Sequence, residues 1–272
     1  KEESFSSSKT INDYGLQNFS EDCKQFINVI RKDFKISKIF ENIKQIKNKK
    51  VLLLGETIID KYITTEAIGK SGKEPMMVVK KKNDIKFIGG IGYVANLCAS
   101  FVKKISLVSF LGEIRNEKKF IVNNLNKKIN YNFLTKKNSP TIVKTRFLDN
   151  YKKSKIIGIY DINDELLSKK EEDKFYRLLK KKLVKNDLVI VTDYGHGIFT
   201  DKVRRLISNY RKKIYLNTQI NSFNRGYHTV YKYKKVNTLV INESELRYET
   251  SDGTSSIVSL AKKLRSKVIA DN

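Results

Sequence analysis

Apolar residues recur along this chain with two different periods. Between Phe26 and Ile46 they fall at helical spacing, first Phe26, Ile30 and Phe34, then Ile36, Ile39, Phe40, Ile43 and Ile46, which predicts two amphipathic helices. Two such helices cannot bury a core alone and are expected to pack on the rest of the chain or on a preceding domain. From Val51 the pattern changes to short continuous apolar runs: Val51 to Leu54, Ile105 to Leu111, Leu188 to Thr192, Ile214 to Leu216, Thr238 to Ile241 and Val268 to Ala270. Each has the length of a strand buried on both faces. Helical stripes stand between the later runs. Ser168 and Glu171 have capping-box spacing ahead of Phe175, Leu178, Leu179 and Leu183. Thr200 precedes Val203, Leu206, Ile207 and Tyr210, and Ile257, Leu260, Ala261 and Leu264 share one face of a last helix. Strand and helix in alternation predict right-handed crossovers and an α/β fold whose mostly parallel central sheet is covered on both faces. Two stretches, 62–82 and 142–160, carry β-type apolar residues among charges without a helical period and predict a small exposed sheet, a lid or a dimer surface.

Charge changes the picture less than its size suggests. The chain has 272 residues with 55 Lys and Arg against 29 Asp and Glu, a formal net charge of +26. Its basic runs, Lys80 to Lys82, Lys180 to Lys182 and the Lys232, Lys234, Lys235 group, are scattered and lack an aromatic-rich companion. They read as solvated faces with a general attraction for small anions, and no nucleic-acid partner is expected. The 40% hydrophobic content supports a buried core. No apolar run approaches the ~18 residues of a spanning helix, and the polar opening Lys1 to Thr10 is unlike a signal peptide. A cytoplasmic protein with no membrane partner is expected. Cys23 and Cys98 are too few for a disulfide framework or a zinc set, and His196 and His228 lack metal-ligand spacing. Gly69-Lys70-Ser71 imitates the end of a phosphate-binding loop without the earlier glycine such a loop needs.

Ligands of parallel sheets bind beyond the carboxyl ends of the strands, and five motifs fall in such places. The first strand runs into Gly55-Glu56-Thr57-Ile58-Ile59-Asp60, whose Asp either accepts hydrogen bonds from sugar hydroxyls or caps a loop. Gly89-Gly90 opens an almost wholly apolar helix, which either admits a ligand to the backbone or marks a tight turn. Thr141-Ile142-Val143-Lys144-Thr145-Arg146 puts two cations on one face of a strand. Asp193-Tyr194-Gly195-His196-Gly197 follows the Leu188 run, and Asn242-Glu243-Ser244-Glu245 follows another strand, where amide and carboxylate could hold magnesium through water. Taken singly, each is more often structural than functional.

Taken in order, they resemble the ribokinase-like (PfkB) carbohydrate kinases, nearest to the heptose-phosphate kinase domain of ADP-heptose synthesis proteins. The resemblance covers Lys50 to Asn272. It implies a three-layer α/β sandwich with a small β lid, incomplete at the C-terminus, occupying residues 50–272. It further implies that Asp60, Gly89 and Gly90 bind sugar hydroxyls and that Lys144 and Arg146 reach a sugar phosphate from the lid. Asn242 and Glu245 would organise Mg2+ and the phosphates of ATP, Glu245 acting through water, with Asp193 in a supporting role. The partners implied are a sugar or sugar-phosphate substrate and a second copy of the chain joined through the lid. The family's catalytic base is the Asp of a Gly-Ala-Gly-Asp motif that this chain lacks. That base is expected beyond residue 272, and the chain alone is expected to be inactive. Phe5-Ser6-Ser7-Ser8-Lys9-Thr10-Ile11 resembles the closing signature of a cytidylyltransferase-like domain, making residues 1–49 its tail and a helical linker within a bifunctional protein. Tyr93 stands where the family has Asn, His196 where it has Lys, and Asn217-Thr218-Gln219 where it has Asp-Pro-Lys, so the sugar stays open. The competing expectation is a non-catalytic sugar-binding or regulatory module of the same fold.

Overall fold

The computed structural model describes residues 19–210 and 213–271, in two compact units, Lys1–Lys47 and Asn48–Asn272. The Ser-rich stretch Phe5 to Ile11 lies outside the described residues. In the first unit, α1 (Glu21–Asp33) starts at Ser20, whose hydroxyl accepts the Cys23 amide at 3.3 Å. Glu21 and Asp22 open this helix and Arg31 and Lys32 close it, matching the helix dipole at both ends. It is followed by α2 (Ile36–Ile46), and no residue of either helix is fully buried.

The second unit begins with β1 (Lys50–Gly55), β2 (Thr57–Lys70), β3 (Met77–Gly89), α3 (Gly90–Phe101), β4 (Lys104–Ile114) and α4 (Lys118–Asn124). It continues with β5 (Ile129–Pro140), β6 (Ile142–Asp149), β7 (Lys155–Asp161), α5 (Lys169–Lys185), β8 (Leu188–Asp193) and α6 (Asp201–Ser208). Last come β9 (Lys213–Thr218), β10 (Lys235–Val236), β11 (Thr238–Val240), α7 (Glu243–Thr250), α8 (Ile257–Arg265) and β12 (Ile269–Ala270). Six strands form a fully parallel sheet in the order β11-β9-β8-β1-β4-β5.

Alternation along β1 shows why both faces are covered. Leu52 and Leu54 pack with Phe175, Leu179 and Leu183 of α5 and Val203 and Ile207 of α6. Val51 and Leu53 pack on the other side with Ile91, Ala95 and Ala99 of α3 and Ile121 of α4. The capping box expected at Ser168 and Glu171 is present at the start of α5.

Two elements depart from the apolar pattern. The sequence pattern had no strand at β5, an edge strand in which polar Asn130 and Asn132 interrupt Ile129, Tyr131 and Phe133. The run Val268 to Ala270 does not join the main sheet: β12 pairs with β10 in a two-residue parallel ladder. The reason is Asn237. Its backbone amide and side-chain oxygen both bond Ile214, splitting one run into β10 and β11, and only β11 pairs with β9.

The lid is a second sheet, β3-β2-β6-β7, with β2 and β6 parallel and an antiparallel partner on either side. Only Glu56 separates β1 from β2, so the lid grows directly from the carboxyl end of a central strand. No helix among the described residues is long and apolar enough to cross a membrane.

Candidate functional site

On the lid, Asp60 of β2 is in register with Lys144 of β6 and Phe87 of β3, and Tyr62 is in register with Arg146. These residues share one face of the sheet. Arg146 Nη1 donates to Asp60 Oδ1 at 2.5 Å, and its guanidinium lies 5.5 Å from the Tyr62 ring centre and 5.8 Å from that of Tyr160. Gly89 is needed beside this carboxylate, because a Cβ there would stand 2.2 Å from Asp60 Oδ2. Gly90 sits at φ +55°, and its Cβ would meet the Glu56 carbonyl at 2.4 Å. Asp60, Gly89 and Gly90 line a cavity of about 620 Å3 with Tyr62, Phe87, Tyr93 and Tyr194.

Lys144 is only 8% exposed. Its ammonium has no hydrogen bond or salt bridge to any described residue; the Tyr160 ring lies 5.8 Å away. Burial pulls its pKa below the usual lysine value, with Asp60 pulling the other way.

Beneath this floor, the loop after β8 is built on buried charge. Asp193, 1% exposed, accepts from the Gly195 amide at 3.0 Å, the Tyr233 hydroxyl at 2.8 Å and Arg204 Nη2 at 3.4 Å. Its carboxylate is therefore engaged within the protein. His196 donates through Nδ1 to Asp164 at 2.8 Å, which leaves Nε2 as an acceptor, buried and without a partner among the described residues. Burial lowers the pKa of this imidazole below the usual histidine value, so the ring is neutral near pH 7. Lys136 donates to the carbonyls of Asn163 at 2.6 Å and His196 at 3.3 Å. Glu56, also 1% exposed, accepts the Tyr194 amide at 3.0 Å and the His196 amide at 3.1 Å. Burial, and then Asp193, push its pKa up to about 8. Sequence reasoning missed Glu56, Lys136 and Asp164 as parts of the site. The signal available was for Glu56 alone, a carboxylate set inside an otherwise apolar run.

Asn242 and Glu245 form a second capping box, at the start of α7. Asn242 Oδ1 accepts the Glu245 amide at 2.8 Å, and Glu245 Oε2 accepts the Asn242 amide at 3.2 Å. Glu245 Oε1 also accepts the Ile220 amide at 3.2 Å. The structure thus gathers Asp60, Gly89, Gly90, Lys144 and Arg146 in one place and sets Asp193 beneath the adjoining loop. Asn242 and Glu245 follow β11, three strands from β1 along the same sheet. Among the described residues no group of three or more His, Cys, Asp or Glu side chains forms a ready metal site.

Solved structures share this architecture. Ribokinase from Giardia lamblia superposes with a TM-score of 0.62 at 14% sequence identity, over 81% of this chain and 71% of that one. Phosphofructokinase-2 from Escherichia coli, in complex with potassium, gives 0.57 at 13% identity, over 82% and 70%. The fold is that of the ribokinase-like carbohydrate kinases. Two curated proteins named Bifunctional protein HldE align with this ribokinase-like chain. The one from Aliarcobacter butzleri is 25% identical over 226 residues, 81% of this chain and 46% of its own length. The one from Wolinella succinogenes is 26% identical over 227 residues, 79% and 44%. The chain therefore spans a little under half the length of these relatives. No protein-family model matches it.

Proposed function

We propose that this chain is the kinase portion of a bifunctional protein of sugar-nucleotide synthesis, ADP-heptose-like, in which the γ-phosphoryl of ATP passes to a hydroxyl of a sugar or sugar phosphate. The relatives named bifunctional and the ribokinase-like fold support this reading. The observation that carries it is Lys144: a residue only 8% exposed whose ammonium meets no hydrogen-bond acceptor among the described residues, two residues from Arg146 and level with Asp60. The chain of Lys144 is covered while its ammonium is left without a protein acceptor, and the phosphate of a sugar phosphate supplies a charge-assisted partner. In this reading Asp60 accepts sugar hydroxyls, Gly89 and Gly90 let the ring approach the backbone, and Lys144 and Arg146 hold the anionic end.

Asn242 and Glu245 are assigned to the nucleotide side. Each Glu245 oxygen accepts one backbone amide and keeps a further lone pair, which fits outer-sphere contact with hydrated Mg2+ better than direct ligation. When bound, ATP and Mg2+ supply the phosphoryl donor and neutralise its charge. Exposed Ile156, Ile157 and Ile159 on β7, with Ile68 on β2 and Met77 on β3, support a homodimer joined through the lid. Residues 1–49 take the part of the helical linker and tail of a nucleotidyltransferase-like domain.

The test is ATP-dependent phosphorylation of a panel of sugars and sugar phosphates by a protein carrying this chain together with a Gly-Ala-Gly-Asp segment. Turnover confined to phosphorylated sugars is expected, and its loss in Lys144→Met. Absence of turnover on the whole panel overturns the proposal.

A further inference from the structure

The two walls of the 620 Å3 cavity come from parts of the chain far apart in sequence: Gly90 at the start of α3, and Tyr194 in the loop after β8. One residue touches both. The carbonyl of Glu56 accepts the Ile91 amide at 2.9 Å, fixing the first turn of α3. The side chain of Glu56 turns the other way, and its two oxygens accept the amides of Tyr194 and His196. On its far side the same loop is tied by Asn221 Nδ2 and Asn224 Nδ2, each donating to the Tyr194 carbonyl at 2.9 Å. The asparagines hold that carbonyl, Asp193 Oδ1 takes the Gly195 amide, and among the described residues Glu56 is the side-chain acceptor of the Tyr194 and His196 amides on either side of it. Glu56 is only 1% exposed, so its two acceptor oxygens are turned inward to these amides.

We propose that Glu56 is a positioning residue of the sugar pocket, clamping the Tyr194 to His196 backbone to the carboxyl end of β1 so that the Tyr194 wall stands at a fixed distance from Asp60 and the Gly89-Gly90 turn. This rests on the reading of that cavity as a sugar-phosphate site. Once ionised, above its pKa of about 8, the carboxylate is suited to the task because it presents two acceptors in one plane to two backbone donors two residues apart. A carboxamide presents one acceptor, and its NH2 opposes the second donor.

The test compares the wild-type protein with Glu56→Gln and Glu56→Asp in two measurements. The first is amide hydrogen exchange, read as protection factors. At pH 9, where the wild-type carboxyl is ionised, at least one of the amides of Tyr194 and His196 should lose about tenfold in protection in Glu56→Gln, as expected for one hydrogen bond to a buried acceptor. The Ile91 amide, held by the main-chain carbonyl, should keep its wild-type value. Glu56→Asp, which retains the two-oxygen acceptor, should recover part of the loss. The second is calorimetric binding of sedoheptulose 7-phosphate as probe, expected to weaken by about tenfold in Glu56→Gln and less in Glu56→Asp. Unchanged protection at Tyr194 and His196, or an equal fall at Ile91 and throughout the sheet, overturns the clamp. Absence of probe binding by the wild-type protein overturns the sugar-phosphate reading instead, and the exchange data still decide whether Glu56 holds the loop.

Discussion

The two ends of the proposed reaction site treat their polar groups in opposite ways. At the lid end, neither the Lys144 ammonium nor His196 Nε2 has a hydrogen-bond partner among the described residues. At the α7 end, Asn242 and Glu245 bond each other's backbone, and Glu245 holds Ile220 as well. The lid end therefore carries polar capacity that folding leaves unused, whereas the α7 end has already committed much of its capacity to a helix start. Substitutions should separate the two: at the lid end they should cost binding and spare or even raise stability, and at the α7 end they should cost stability first.

The largest expected effect is the pH dependence of stability at Glu56. Its pKa rises from 4.5 to about 8 on folding, through burial first and the charge of Asp193 second. Lys136, Lys144, Tyr194 and Tyr233 face the same carboxyl. A carboxyl with a raised folded pKa binds its proton more tightly in the folded state. Its contribution is therefore greatest below the unfolded pKa and is lost as pH rises through about 4.5 to about 8. The swing is on the order of 5 kcal/mol. Urea denaturation at pH 5, 7 and 9 should show stability falling across this window in the wild-type protein, with the slope flattened in Glu56→Gln. An unchanged slope in the variant would remove Glu56 from the set of strained groups. The second effect is at Lys144. Lys144→Met should weaken sugar-phosphate binding by about a hundredfold, since a charge-assisted contact to phosphate is worth roughly 2–3 kcal/mol. The melting temperature should hold or rise, because a partly desolvated charge without a protein acceptor is replaced by an apolar chain of similar length. A fall in melting temperature would mean that Lys144 serves the fold.

How much of this could be read in the sequence follows the same division. The central strands were legible because runs such as Val51 to Leu54 and Leu188 to Thr192 are buried on both faces. β5 was not, because an edge strand alternates polar and apolar side chains and Asn130 and Asn132 break the run. Lys144 and Arg146 could be placed on one face because a strand sets alternate residues on the same side, whereas their grouping with Asp60 and Gly89-Gly90 came from the family resemblance. The partnership of Glu56 with Tyr194 and His196 spans about 140 residues and depends on tertiary packing that no local pattern encodes. At Asn242 the motif Asn-x-x-Glu carried two meanings at once, since the same spacing closes a capping box and resembles a nucleotide motif.

That double meaning yields the smallest and sharpest test. Asn242→Ala removes one acceptor of an exposed helix start and should cost about 1 kcal/mol. Glu245→Ala frees the amides of both Asn242 and Ile220 at a site only 6% exposed and should cost about 2 kcal/mol. Asn242→Asp keeps the cap, since aspartate accepts the Glu245 amide as asparagine does, but adds a negative charge where ATP phosphates are proposed to lie. If α7 serves only the fold, Asn242→Asp should match the wild-type protein both in melting temperature and in binding of ATP with Mg2+. If it also serves the nucleotide, Asn242→Asp should keep the wild-type melting temperature while its affinity for ATP with Mg2+ falls several-fold. That second outcome is expected here, because the cap uses only one lone pair of Asn242 Oδ1 and leaves the rest of the side chain free to meet a ligand.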